Sequence, residues 1–486
     1  MVKNKFENKS IKTNFAFNLL NTVSSLLFPL ITFPYAARVV LAEGIGQVHF
    51  YTSIINYISL GVGLGIPMYA IREIARVRDD IKNLTKTTVE ILLLSVLLSL
   101  VGYIAVAVLC FTIAGVSANI PLFLILSSTI LLTAIGCPWF YSGIEDFKYI
   151  AIRGLLVKFL CIILLFTLVK SKEDLLYYGV YCILGSIGNY ILNFVHLHHF
   201  INLKLISLKD LDVKKHIQPA FSVFILNLVT SIYLNLDSVM LGFIGSNEQV
   251  GYYTAATKLS HMMVTLVTSL GAVLLPRLSN LIKENRTDEF YRLAKESYRM
   301  ISLISYPIAL GMIVMAPILI SFFGGDSYYP SILTLQLISP IVVFIAISNL
   351  VGIQVLYPLG KVKLVTISTA VGAIVNFTLN LIFIPLYKQN GAAISTSVAE
   401  FSVLLTQFVV ARKYIPFGLI NKRILTYFIS SIIMFLGCQL MMLLNMSDNF
   451  KLFLVPLSGI CIYGTLLLLQ RDELVFEIIA IVKRKF

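Results

Sequence analysis

Charged side chains are scarce in this sequence. Asp, Glu, Lys and Arg make up 13% of the 486 residues, and apolar residues make up 58%. Soluble domains carry about 25% charged residues, so this chain has too few charges to cover a water-exposed surface of its size. A soluble fold is therefore excluded, and the composition predicts an all-α polytopic membrane protein.

Cysteine pairs and catalytic motifs are also missing. None of the six cysteines forms a C-x-x-C pair, so we expect neither a disulfide framework nor a metal knuckle. The sequence has no G-x-x-x-x-G-K-[ST] loop, no G-x-S-x-G elbow and no H-E-x-x-H motif. We expect no enzyme activity, no catalytic residues, no metal and no cofactor, and coupling to H⁺ or Na⁺ is left open. The histidines of "HLHH" (196–199) are better explained as a solvated helix end than as a metal site.

Neither a cleaved signal peptide nor a nucleic-acid partner is indicated. Residues 13–37 form an uncharged, mainly apolar run. This run is longer than the core of a signal peptide, about 7–15 residues, so it predicts an uncleaved span. The net charge of +14 arises from 38 Lys and Arg against 24 Asp and Glu. Such an excess is typical of cytoplasmic loops in membrane proteins, and we expect no binding of nucleic acid.

Long apolar segments fill most of the sequence. A membrane-spanning helix needs about 20 apolar residues, and about fourteen such segments are present. With the N-terminus in the cytoplasm, the loops on that side hold most of the Lys and Arg residues, as the positive-inside rule requires. We therefore predict about 14 transmembrane helices and cytoplasmic N- and C-termini. The segments are 13–40, 47–70, 87–113, 120–141, 151–169, 177–200, 217–243, 252–275, 300–323, 331–356, 364–386, 391–411, 423–444 and 452–470.

A short repeat divides the predicted helices into two sets. The stretch "QVHFYTS" (47–53) returns as "QVGYYTA" (249–255), and a basic segment follows the helix that each copy opens. Six helices in each copy make the repeats parallel. We predict an N-terminal six-helix lobe (1–205) and a C-terminal six-helix lobe (206–413), which face each other across a cleft. Residues 414–486 add two extra C-terminal helices and a cytoplasmic tail.

Two prolines interrupt the first predicted span, in "FPLITFPYAARVV" (28–40). Pro29 and Pro34 each remove a backbone N–H donor, and such breaks are tolerated where helices pack or line a cavity. We therefore predict a hinge at Pro29 and Pro34. Arg38 follows this hinge and is expected at the outer mouth of the protein.

Charged side chains inside or at the edges of spans are candidates for function. A charge at the bilayer centre costs about 2.5–3.5 kcal/mol on insertion scales. For Asp237 and Glu400 a polar cavity is the favoured environment. For the three cations, a cavity and snorkelling to the interface both stay open. The residues predicted to form the substrate translocation cavity are Arg38, Lys158, Asp237, Lys258 and Glu400.

Asp237 has two further features. Asn227 and Thr230 share its helix face at 100° per residue, and this polar stripe favours a cavity over solvation at the outer surface. Under the repeat, Arg38 corresponds to position 240, three residues from Asp237. We predict that Arg38 and Asp237 approach each other when the outer side of the protein closes.

Four stretches, taken in order and at these depths, resemble a known family. The chain resembles the Wzx-type polysaccharide or O-antigen flippases, which belong to the multidrug/oligosaccharidyl-lipid/polysaccharide exporter superfamily. The stretches are "YAIREIAR" (69–76), "PWFYSGIEDFKYIAIRGLLVKF" (138–159), "LDSVMLGFIGSNEQVGYYTAATKL" (236–259) and "LYPLGKVKLVTISTAVGAIVNFTLNLIFIPLYKQNGAAISTSVAE" (356–400).

The resemblance implies a shape, a substrate and a mechanism. The two six-helix bundles would form a V that switches between inward-open and outward-open states. The substrate would be an undecaprenyl-diphosphate-linked oligosaccharide, moved from the cytoplasmic to the periplasmic leaflet of the bacterial inner membrane by alternating access. A cationic cavity is implied, with Arg38, Lys158 and Lys258 as its candidates. Membrane lipids and the polymerase and chain-length proteins of the same pathway are the implied partners.

Two other functions are weighed against this one. A multidrug or metabolite cation-coupled antiporter of the same fold is the alternative, and it would favour a more acidic and aromatic cavity. A glycan polymerase or ligase resembles proteins with a long catalytic outer loop. The predicted outer loops of this chain are short, which argues against such an enzyme.

Overall fold

The computed structural model describes residues 11–415, 417–418 and 421–477. It leaves out the side chains of residues 11–23, 26, 147–148, 186–187 and 208 and of parts of 222–234 and 270–273, so Asn227 and Thr230 lie outside the described side chains. The described chain is helical and folds into two compact units, Met1–Gly251 and Tyr252–Phe486. These units are defined by contacts, whereas the lobe boundaries after residues 205 and 413 come from the repeat and stay a prediction.

The first unit contains nine helices and the start of a tenth within the described residues. They are α1 (Ile11–Gly63), α2 (Ile66–Val77), α3 (Ile81–Thr112), α4 (Ala114–Ser117), α5 (Ile120–Ile135), α6 (Pro138–Gly143), α7 (Phe147–Leu168), α8 (Leu175–Leu197), α9 (Ile217–Ile244) and α10 (Asn247–Lys283).

The second unit takes up the remainder of α10. Its further described helices are α11 (Thr287–Gly324), α12 (Ser331–Ile338), α13 (Ile341–Asn349), α14 (Val362–Tyr387), α15 (Gln389–Val410), α16 (Lys422–Met442) and α17 (Asp448–Leu469), and a π-helical turn, Leu350–Leu356, follows α13.

The all-α membrane architecture predicted from composition is confirmed. Among the described residues, ten helices are long and apolar enough to cross a membrane, or twelve if each of two bent pairs forms one span. The count of fourteen stays a prediction. The predicted span 13–40 falls on α1, 47–70 covers the rest of α1 and the first turn of α2, and 217–243 falls on the partly described α9.

Helix α1 is broken at Leu41, where the backbone is left-handed (φ 62°, ψ 175°). This break comes directly after the end of the first predicted span. Pro29 and Pro34 both lie inside the helical stretch that precedes it. The predicted hinge at these prolines stays a prediction, and the structure adds a backbone break three residues beyond Arg38.

A sharp turn joins α1 to α2. Leu64 and Gly65 have positive φ angles of 41° and 69°, and a Cβ atom on Gly65 would lie 2.7 Å from the carbonyl oxygen of Ala220 in α9. Only glycine combines this backbone angle with such a close approach. The turn therefore seats α2 against α9.

The core of the first unit lies where α2, α3 and α6 meet. Apolar and aromatic side chains fill it, and they surround the ends of α8 and α9 as well. At about 25 cal/mol per Å² of buried apolar surface, such side chains contribute roughly 1.5–3 kcal/mol each. The buried members include Ile66, Tyr69, Ile74, Leu84, Ile91, Cys137, Trp139, Phe140, Tyr141, Leu197 and Ala220.

The last two helices are integrated into the second unit. The hydroxyl of Tyr463 in α17 donates a hydrogen bond to the carbonyl oxygen of Leu303 in α11 at 2.9 Å. At the helix ends, Arg423 lies 2.7 Å from Glu473. The hydrogen bond from Arg423 lowers the pKa of the Glu473 carboxyl group. Helices α16 and α17 therefore belong to the packed body of this unit.

Candidate translocation site

Arg38 is exposed and binds its own helix. Its Nη1 atom donates a hydrogen bond to the carbonyl oxygen of Pro34 at 2.8 Å. Arg38 lies in the last turn before the helix breaks at Leu41. A cationic side chain at this position interacts favourably with the helix dipole.

Lys158 joins α7 to α1. Its Nζ atom donates hydrogen bonds to the hydroxyl groups of Ser24 and Ser25, both at 2.8 Å. In the described part of the chain no carboxylate lies within ion-pair distance of this half-buried ammonium group. Two hydroxyl groups orient a positive charge without neutralising it, so Lys158 can attract an anion.

The other three predicted residues occupy separate helices. Asp237 is half-buried on α9, Lys258 is half-buried on α10, and Glu400 is buried on α15. Arg38, Lys158 and Asp237 belong to the first compact unit, while Lys258 and Glu400 belong to the second. The grouping of all five residues around one cavity stays a prediction.

A buried carboxylate that the sequence reasoning missed lies in the first unit. The Glu90 side chain on α3 is 0% exposed, and its Oε2 atom accepts from Lys215 at 2.7 Å and from His216 at 3.0 Å. Its Oε1 atom accepts from the backbone N–H of Asp212 at 2.8 Å. Glu90 falls within the predicted span 87–113, so the cost of an intramembrane charge could have identified it.

The sequence reasoning also missed a buried cation. Arg153 on α7 is 6% exposed, and its guanidinium carbon lies 5.1 Å from the ring centre of Tyr141 and 4.9 Å from that of Tyr149. Cation–π contacts contribute about 0.5–2 kcal/mol, whereas burying a charge costs several kcal/mol. The rings therefore offset only part of the cost of burying Arg153.

The rings around Arg153 form one cluster with α8. His196 stacks on Tyr149 with a centroid distance of 4.3 Å, and the Tyr141 hydroxyl donates to the carbonyl oxygen of Asn193 at 2.7 Å. The Tyr149 hydroxyl donates to the carbonyl oxygen of Leu192 at 3.1 Å. Within the described residues, no group of three or more His, Cys, Asp or Glu side chains could hold a metal ion.

Solved structures share this fold. The chain aligns with the structure entitled "Lipid II flippase MurJ, inward closed conformation" at a TM-score of 0.73 and 17% identity, over 94% of this chain and 99% of the other. An inward-facing multidrug resistance MATE family transporter aligns at a TM-score of 0.65 and 14% identity, over 81% and 94% of the two chains. At these identities the likeness shows the fold alone.

Comparison of sequences identifies relatives of this chain and its family. The chain is 24% identical over 405 residues to the "Putative O-antigen transporter" of Escherichia coli (strain K12), covering 82% of this chain and 97% of that protein. Residues 223–382 match the family described as MatE, and residues 11–282 match the family described as "Polysaccharide biosynthesis protein". Because the latter match covers more than half of the chain, this multi-pass membrane protein belongs to the polysaccharide biosynthesis protein family.

Proposed function

We propose that this chain is a flippase for undecaprenyl-diphosphate-linked oligosaccharide. It moves a repeat unit of O-antigen, capsule or exopolysaccharide from the cytoplasmic to the periplasmic leaflet by alternating access. The observation that carries this proposal is the likeness to an O-antigen transporter, which extends over nearly all of that protein. The substrate is carried across unchanged, so the chain is a transporter and not an enzyme.

Cationic side chains would engage the substrate. Arg38, Lys158 and Lys258 attract the diphosphate group or acidic sugars, since phosphate oxygens pair strongly with guanidinium and ammonium groups. The uncompensated charge of Lys158 supports this assignment for one of the three. Asp237 and Glu400 would bind these cations in one state, and their titration or a bound ion would couple transport to H⁺ or Na⁺.

The membrane and the partners follow from the proposed substrate. We place the chain in the bacterial cytoplasmic (inner) membrane with both termini in the cytoplasm, as the distribution of Lys and Arg favours. The polymerase and chain-length proteins that consume the flipped repeat unit would act beside it. Bending at Pro29 and Pro34 would accompany the change between inward-open and outward-open states.

A cation-coupled multidrug or metabolite antiporter is the second candidate function. The match of residues 223–382 to the MatE family favours it, as does the fold shared with a MATE transporter. Such a transporter would export free small molecules and would leave lipid-linked oligosaccharide untouched.

Deletion of the gene in its host tests the two functions against each other. The flippase proposal predicts loss of surface glycan and accumulation of lipid-linked oligosaccharide on the inner leaflet, where added glycosidase cannot reach it in intact spheroplasts. Expression of the chain from a plasmid should reverse both effects. Unchanged surface glycan together with lost ethidium efflux would refute the flippase and support the antiporter.

A further inference from the structure

Two nitrogen atoms of the buried Arg153 have no acceptor. Within the described part of the chain, neither Nε nor Nη1 has a hydrogen-bond partner, although both atoms are buried. Charged side chains are almost never fully buried unless they are paired. The cluster of Arg153, Tyr141, Tyr149 and His196, here named the Arg153 cluster, therefore has two donors available to an anion.

Helix α8, which carries His196, has further polar atoms that lack partners. Asn189, Asn193 and His196 share one helix face, since they are spaced four and three residues apart. Among the described residues, Oδ1 of Asn189, Oδ1 of Asn193 and Nδ1 of His196 are buried without a hydrogen-bond partner. These atoms can accept from the hydroxyl groups of a ligand.

Exposed apolar side chains flank the cluster. Leu156, one helical turn after Arg153 on α7, is 63% exposed, and Val195, next to His196 on α8, is 61% exposed. Ile152 and Leu192 are exposed as well. In a multi-pass membrane protein such side chains contact lipid chains, so a ligand that reaches Arg153 along this surface is an amphiphile with an anionic head.

We propose that the Arg153 cluster binds the phosphate group of a lipid whose chains lie along the exposed side chains of α7 and α8. A phosphate group offers several acceptor oxygens to one guanidinium group and pairs with it in a bidentate manner. Arg153 is the seventh residue of α7, about 9 Å along the axis from the first residue at 1.5 Å per residue, a depth that phosphate groups of the interface can reach. Two lipids carry this chemistry, the polyprenyl phosphate of the proposed substrate and anionic phospholipid.

Native mass spectrometry of the purified full chain tests the site and separates the two sources. The probes are undecaprenyl phosphate, phosphatidylglycerol and, as a lipid without phosphate, diacylglycerol. We expect Arg153→Met to weaken binding of at least one phosphate lipid by tenfold or more and to leave diacylglycerol binding unchanged. Loss for undecaprenyl phosphate alone assigns the carrier lipid, loss for phosphatidylglycerol alone assigns phospholipid, and loss for both assigns a general lipid-phosphate site.

Two controls keep the proposal testable. Arg78→Met removes a cation that pairs with Glu145 at 3.0 Å, and it should leave all three affinities unchanged. If Arg153→Met does not fold, Arg153→Lys serves as the test variant. It keeps the positive charge but loses the planar guanidinium group, so it should weaken binding of the phosphate lipid severalfold. Wild-type affinity for both phosphate lipids in a folded Arg153 variant overturns the site, and so does an equal loss for diacylglycerol. Because no transport is measured, failure here leaves the flippase proposal standing.

Discussion

His216 donates to Glu90 across 3.0 Å in a region where their side chains are 3% and 0% exposed. On its other side, Nδ1 of His216 lies 2.7 Å from the hydroxyl of Tyr69. An imidazole that carries its proton on Nε2 satisfies both contacts, donating to Glu90 and accepting from Tyr69. One side chain at the start of α9 is thereby bonded to α2 and to α3.

Glu90 ties the segment that leads into α9 to α3. The segment that leads into α9 is held by Glu90 through the backbone of Asp212 and the side chains of Lys215 and His216. Together with the close approach of Ala220 to Gly65, these contacts hold the start of α9 against α2 and α3.

Glu90→Gln should destabilise the protein. The variant loses charge-assisted hydrogen bonds, worth about 1.5–3 kcal/mol each, although Lys215 is 43% exposed and can regain water. We expect a loss of about 2 kcal/mol, seen as a lower thermal melting temperature of the purified protein. Glu145→Gln is the matched control, because Glu145 is 60% exposed in its pair with Arg78 and such pairs contribute about 0–1 kcal/mol. Equal shifts for both variants would contradict the role of Glu90.

Lys158→Met should lower transport while the protein still folds. The ammonium group has hydroxyl partners but no carboxylate among the described residues, so its charge remains available to a diphosphate. We expect at least a tenfold loss of glycan export, about 1.4 kcal/mol, at an unchanged level of protein in the membrane. Two controls separate charge from packing. Lys172→Met, at an exposed lysine, and the Ser24→Ala/Ser25→Ala double variant should both keep transport; loss in the serine variant would indicate a packing role.

Hydropathy predicted the membrane architecture well and the backbone breaks poorly. The predicted spans fall on helical segments because apolar runs of about 20 residues have few alternatives in a bilayer, but 47–70, 120–141 and 331–356 each cross a break between helices. The breaks at Leu41 and Cys137 arise from local backbone angles, which a hydropathy window does not sense. Only Pro138, which starts α6, marks one of these breaks in the sequence.

The polar clusters were harder to predict than the helices. The five candidate cavity residues were chosen as charges inside or at the edges of spans, and Glu90 and Arg153, which lie near span ends, were not singled out. Their importance depends on partners distant in sequence, such as His216 for Glu90 and Tyr141 for Arg153. Pairing of this kind is decided by tertiary packing, and a single sequence does not encode it in a recognisable pattern.

A charge swap tests the predicted approach of Arg38 and Asp237, which both belong to the first compact unit. Arg38→Asp and Asp237→Arg alone give this pair two like charges, and each should reduce glycan export. The double variant restores opposite charges and should recover export to within a few fold of the wild type. A double variant as inactive as the single variants, although present in the membrane, would contradict the approach of these residues.

Gly46→Ala should be strongly destabilising, because α1 meets the start of α10 at two glycines. A Cβ atom on Gly46 would lie 1.6 Å from the carbonyl oxygen of Asn247, and one on Gly251 would lie 1.9 Å from that of Ala42. Both obstacles are backbone atoms, so relief requires the helices to separate. Overpacking costs about 1–3 kcal/mol or more, and the melting temperature should fall accordingly.

The control for Gly46→Ala is a glycine whose replacement by alanine should not lower the melting temperature. Gly311 lies within α11, and a Cβ atom there would meet nothing within 4 Å. Alanine is favoured over glycine inside a helix by about 0.5–1 kcal/mol, so Gly311→Ala should raise the melting temperature or leave it unchanged. A Gly46→Ala variant as stable as Gly311→Ala would mean that α1 and α10 do not pack at this distance.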